Sequence, residues 1–227
     1  MYNYQYVNDQ GVFSPSRLSI PDGTVFAGAD KQRLYEARLT STQVNSMWMR
    51  AVHRDIVDIS ADYTGCGIRG MCDDALQMLA LYTNAKKTVF VDQPLYCYRK
   101  GDGSITSRTT LANWQAIHRS FVLEQPYVEK WAVSETVQCR RYTKQMENIC
   151  NCVRWLYANE PARNLPETIR SVKEESLFQA CLERYDKKYA SSRYSALSMP
   201  IIAAAVDRER FCFLEHYFKL ENWLRRR

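Results

Sequence analysis

Apolar positions recur with period two at the start of the chain and with a helical period towards its end. "YNYQYV" and "VFSPSRL" flank Asn8-Asp9-Gln10-Gly11, a strand–turn–strand pattern that predicts a hairpin. A looser segment follows, through Pro21-Asp22-Gly23. "TSTQVNSMWMRAVHR" then predicts a helix, opened by Thr40 and Gln43 as a capping box, with Val44, Met47, Trp48, Ala51 and Val52 on one face. A second helix starts at Asp73 and Asp74. Behind these acids Ala75, Leu76, Met78, Leu79 and Tyr82 form a broad apolar face, and Asn84 can end it. "KTVFVDQPLYCYR" is β-branched and aromatic; Pro94 divides it into two short strands, or a strand and a bend.

The pattern changes near residue 108. From there to Arg227 no strand is predicted. Met146, Ile149, Cys150, Val153, Leu156 and Tyr157 step along one helical face. Another helix is expected from about Pro166 to Tyr189, and a last one over "DRERFCFLEHYFKLENWLRRR". The expected organisation is an α/β region over residues 1–108, followed by an all-helical region over residues 109–227.

Composition narrows the class. Of 227 residues, 46% are hydrophobic and 12% aromatic, so the chain can bury a core and wholesale disorder is excluded. The formal charge of +6 suits an anionic partner without choosing one. Lys and Arg are scattered, and only Arg225 to Arg227 form a run, so nucleic acid is not the expected partner. The polar, aromatic start carries no secretory signal, so the eight Cys read as reduced thiols in an intracellular setting. Cys150 and Cys152 have the wrong spacing for a zinc knuckle, and His53, His118 and His216 lie far apart. No metal site is predicted from these residues. No apolar run reaches the length of a membrane span.

The residues that carry chemistry sit around Asp73 and Asp74. Acids in a first helical turn are stabilised by free N–H groups and the macrodipole, and pattern alone favours that role. The alternative is a general base. A carboxylate held close to a hydroxyl can deprotonate it, and two adjacent acids raise one pKa.

The ordered segments "NSMWMRAVHR" and "CDDALQMLALYTNAKKTVFVDQPLYCYRKGDGSIT" resemble the second half of the catalytic domain of bacterial family 2 glycosyltransferases, of GT-A type. That family carries Asn-Ser-x-Trp-x-Lys before a basic residue, then Glu-Asp at a helix start, a Val-rich strand, Pro-Leu-Tyr-x-Tyr-Arg and Ser-Ile-Thr. Here the counterparts are Asn45, Ser46, Trp48 and Arg50; Asp73 and Asp74; Asn84 to Lys87; Pro94 to Arg99; and Ser104 to Thr106. The resemblance covers roughly residues 1–108. It implies inverting transfer of a sugar from a nucleotide sugar to an acceptor hydroxyl, on a glycan or lipid-linked glycan in polysaccharide biosynthesis. It gives Asp74 the role of base and Asp73, where the family has Glu, a supporting role. Trp48 would wall the acceptor pocket, or else serve as core. Arg99, Ser104 and Thr106 would lie near the donor diphosphate.

The family's donor-side half has no counterpart in this sequence. Its first hydrophobic strand, its Asp-Asp-Gly-Ser turn and its metal-binding Asp-x-Asp are all missing. A divalent metal, Mn or Mg, is the family's expected cofactor, but its ligand motif is absent here. The expectation is therefore a truncated or split enzyme, inactive alone, with an open sheet edge that favours homo-oligomers or a missing half. Two other classes compete. One is a non-catalytic interaction module. The other is a membrane-surface protein, because the last helix combines Phe213, Leu214, Tyr217, Phe218, Leu220, Trp223 and Leu224 with three Arg. The expected location is the cytoplasm, with peripheral contact at the inner face of the cell membrane.

Overall fold

The computed structural model describes residues 1–8, 10–11, 13–16, 18–61, 73–99, 111–161 and 163–225. They fall into two compact units, one from Met1–Arg108 with Gln115–Val133 and one from Thr109–Trp114 with Ser134–Arg227. The first is mixed α/β and the second is helical, and no strand follows Arg99 among the described residues.

The first unit begins with β1 (Tyr2–Val7) and β2 (Phe13–Ser16), paired antiparallel with Val7 opposite Phe13. The Asn8–Gly11 turn closes with a 3.0 Å bond from the Gly11 N–H to the Asn8 carbonyl, and Gly11 takes a φ of 75°. Only a residue without Cβ adopts that angle freely. The aromatic run is divided one residue after Val89, not at Pro94. β4 (Lys87–Val89) pairs with β3 (Val25–Ala27) in a small second sheet. β5 (Val91–Arg99) runs parallel to β1 and completes the sheet β2-β1-β5. Pro94 stays inside β5, where the register slips twice; a strand lacking one N–H tolerates that at a sheet edge. Phe90, buried between the two strands, lets the chain change sheets while its side chain stays in the core.

Asn3 ties these segments together. Its buried carboxamide accepts from the Leu18 N–H at 3.1 Å and donates to the Asp92 carboxylate. Asp92 in turn donates its N–H to Asp22 at 2.7 Å.

Helix α1 (Lys31–Thr40) was not predicted, and the helix expected over residues 40–54 does not form. Thr40 ends α1 instead of opening a helix. Its hydroxyl donates to the Glu36 carbonyl at 2.8 Å, and the Ser41 hydroxyl donates to that of Ala37. The following segment holds only two single 3-10 turns, Met47–Met49 and Arg54–Ile56. The polar groups of residues 44–50 are spent on distant partners. The Val44 carbonyl accepts from Tyr82, the Met47 N–H donates to Asp74, and the Trp48 carbonyl accepts from Tyr2. A backbone group bonded across the fold cannot serve an i→i−4 ladder as well.

Helix α2 (Asp73–Asn84) carries the core of this unit, with Leu76, Met78, Leu79, Leu81 and Tyr82 buried. Helix α3 (Leu111–Trp131) packs here from Gln115 onward. Its Trp131 stacks on Tyr35 at 4.1 Å and donates its indole N–H to Thr83 at 2.9 Å.

The second unit is built on α4 (Glu135–Asn159), whose Met146, Ile149, Cys150, Val153 and Leu156 are buried as the periodicity requires. Ser134 caps it, accepting from the Val137 N–H. The helix expected over residues 166–189 is two helices, α5 (Leu165–Glu174) and α6 (Ser176–Arg184), parted by extended Glu175. α7 (Arg193–Asp207) and α8 (Phe211–Arg225) form a hairpin, so the last helix starts four residues later than "DRERF" implies.

Cys150, Cys152 and Cys181 are inside this helical core, and burial pushes each thiol up to about 12. Almost none is thiolate near neutral pH, and the thiolate is the reactive form. Cys97 and Cys212 are exposed. Alkylation of the native protein at about pH 8, read by peptide mass mapping, should mark Cys97 and Cys212 and leave these three until denaturant is added.

Candidate functional site

β1 and β5 place their tyrosines on one face of the sheet. Strand side chains alternate, so Tyr2, Tyr4 and Tyr6 share a side. The parallel register sets Tyr4 beside Tyr96 and Tyr6 beside Tyr98. The rings of Tyr4 and Tyr6 meet edge to face at 5.1 Å, and those of Tyr6 and Tyr98 at 5.8 Å. Trp48 lies across them, 4.8 Å from Tyr4, 4.7 Å from Tyr96 and 5.2 Å from Tyr98. Offset and edge-to-face geometries are the favourable ones for aromatic quadrupoles, about 0.5–1.5 kcal/mol per pair beyond burial. The cluster is half-buried: Trp48, Tyr4, Tyr6 and Tyr98 are partly open to solvent, and Tyr96 is exposed. The Tyr4 and Tyr6 hydroxyls bond each other at 2.9 Å. That bond, with burial, pushes the Tyr6 phenol up to about 12, so it stays protonated.

Helix α2 holds the Trp48 segment at two points, two turns apart. At its start the Asp74 carboxylate accepts from the Met47 N–H at 3.3 Å. Near its end the buried Tyr82 hydroxyl donates to the Val44 carbonyl at 2.8 Å and accepts from the Arg50 guanidinium at 2.8 and 3.0 Å. Tyr2 adds a third tether, its hydroxyl on the Trp48 carbonyl at 2.7 Å. Trp48 is therefore fixed from the strand below and the helix beside it. Asp74, in the first turn of α2, thus holds the backbone of Met47, the residue before Trp48.

Of the residues singled out in the sequence, Asp74 bonds the backbone of Met47, and Trp48, the next residue, packs on the tyrosines. Asp73 begins α2, and its side chain lies outside the described residues, as do Ser104 and Thr106. Arg99 ends β5, exposed, opposite Val7 and one residue beyond Tyr98. Sequence reasoning missed the tyrosine array. Its signal was present in the period-two tyrosines of "YNYQY" and "YCY", but only the β1–β5 register makes one face of them.

A cavity of this unit lies elsewhere, at the other end of α2. It encloses about 630 Å³ between Tyr82, Ala85, Lys86 and Lys87 and the segment from Arg50 to Ile56. Among the described residues no group of three or more His, Cys, Asp and Glu could hold a metal ion. No helix among the described residues is long and apolar enough to cross a membrane. No protein-family model, curated protein or solved structure matches the chain.

Proposed function

We propose that this chain is the acceptor-side part of an inverting glycosyltransferase of GT-A type, with Asp74 as its base. The observation that carries this reading is the position of Asp74 against the segment that lays Trp48 over the tyrosine face. A sugar ring has apolar C–H faces and a rim of hydroxyls. Aromatic rings with phenolic hydroxyls complement both. A carboxylate beside such a face can take the proton of an acceptor hydroxyl. The freed oxygen would form the new C–O bond at the anomeric carbon of the donor as the nucleoside diphosphate departs.

The free edge of β5 supports the second half of the reading. Among the described residues β5 pairs with β1 alone, and Leu95 on it is 62% exposed. An edge of this length is where further strands would extend the sheet. The donor-side strands and their metal-binding motif would come from there.

Isothermal titration of the chain with UDP- and GDP-sugars in the presence of Mn²⁺ tests the claim. No saturable binding is expected. Tight, metal-dependent binding would show a complete donor site and overturn the split reading.

A further inference from the structure

The α7–α8 hairpin of the second unit is more apolar than its packing requires. α8 turns Leu214, Phe218 and Glu221 inward; Phe218 packs on Tyr157, and Glu221 pairs with Arg154 at 3.2 Å. α7 buries Met199, Ile202 and Val206. Each helix carries a second apolar stripe beside that core face. Helical spacing aligns Leu197, Ile201 and Ala204 on α7, and Phe213, Leu220 and Leu224 on α8. The large apolar members of both stripes are 41–64% exposed. A groove of about 220 Å³ joins them, lined by Ile201, Ala204, Ala205 and Phe213 and flanked by Arg208 and Arg210.

The charge at the groove is one-sided. Arg208 and Arg210 are both exposed and have no carboxylate partner among the described residues. Glu209 stands between them in sequence, but its carboxylate is taken by Arg170 at 2.9 Å and Lys173 at 3.0 Å. Glu209 therefore does not neutralise the two arginines, and Asp207, half-buried at the end of α7, does not line the groove. Trp223, half-exposed, lies one helical step outside the α8 stripe.

We propose that this outer face of the α7–α8 hairpin docks on an anionic lipid bilayer surface. An apolar stripe with an aromatic shoulder enters the boundary between headgroups and acyl chains, while unpaired arginines meet lipid phosphates. A protein partner would need acidic groups placed opposite Arg208 and Arg210. A bilayer supplies negative charge and apolar depth together over the whole length of the hairpin. The inference does not depend on the role of Asp74.

The test is co-sedimentation of the full chain with phosphatidylcholine vesicles, with and without phosphatidylglycerol. Binding to the anionic vesicles and little to the neutral ones is expected, falling as salt rises. Arg208→Ala with Arg210→Ala should weaken it about thirtyfold, from about 1 kcal/mol per basic residue at such a surface. Leu220→Gln should weaken it with the arginines intact. These side chains are exposed, and an unchanged far-ultraviolet circular dichroism spectrum checks the fold. Absence of binding by the unaltered chain overturns the proposal. So does equal binding to both vesicle types, or binding indifferent to all three substitutions. A dimer by light scattering that Leu220→Gln dissociates, with no vesicle binding, overturns it in favour of a second copy on this face.

Discussion

Glu124→Leu is expected to destabilise the first unit by about 3–5 kcal/mol, the usual cost of breaking a buried ion pair from one side. Arg38 and Glu124 meet at 2.9 Å with side chains only 1% and 7% exposed. Arg38 also donates twice to the Ala75 carbonyl, at 2.7 and 3.1 Å. One guanidinium thus links α1, the first turn of α2 and α3. Without Glu124 the positive charge stays buried with a neutral carbonyl as its remaining partner. The midpoint of urea unfolding should fall accordingly. Arg38→Met combined with Glu124→Leu removes both charges and should recover part of the loss, because an apolar pair of similar volume needs no compensation. A double variant as unstable as Glu124→Leu, or a single one that unfolds like the unaltered chain, would show that the pair carries no such energy.

The second large effect concerns catalysis. When a donor-binding half is supplied, in trans or fused ahead of Met1, Asp74→Asn is expected to lower sugar transfer by roughly 10²–10⁴-fold, the range for loss of a general base. The substitution is chosen for what it keeps. An amide oxygen can still accept from the Met47 N–H, so the Trp48 segment keeps its tether while the basic group is lost. A drop in turnover with unchanged acceptor affinity is the signature of a group acting in the transition state. Transfer that continues undiminished would remove Asp74 from the mechanism and leave it as a helix-start acid.

That lesser role is part of what it does in either case. An acid in the first turn of α2 suits the exposed N–H groups there, and its bond to Met47 adds a structural duty. In the sequence, pattern alone favours the helix-start role, and the family resemblance adds that of base. The fold adds that the carboxylate reaches out to another segment, and that this segment bears the tryptophan.

Other features were less legible. Helix α1 escaped because Arg38 occupies a core position between Leu34, Tyr35 and Leu39, and a buried arginine reads as surface until its partners on α2 and α3 are known. The segment around Trp48 was misread in the opposite sense. Val44, Met47, Trp48 and Ala51 do have helical spacing, but Val44 and Met49 are buried by packing against α2 while the backbone bonds elsewhere. Tertiary bonds won over local pattern there because each backbone group has one best use.

By itself the sequence determined the elements whose stability is local. These are the hairpin at Asn8–Gly11, the start of α2 at Asp73, the long apolar face of α4 and the strands within residues 87–99. Periodicity, turn chemistry and helix-end charges act within a few residues, so they are readable without a fold. The tertiary structure decided what depends on pairings across the chain. It set β1 parallel to β5 so that their tyrosines make one face, and it withdrew residues 44–50 from a helix to lay Trp48 over that face. It also brought Arg38 to Glu124 and left the outer stripes of α7 and α8 uncovered. Each of these rests on partners tens of residues apart, and no local pattern records which groups will meet once the core has closed.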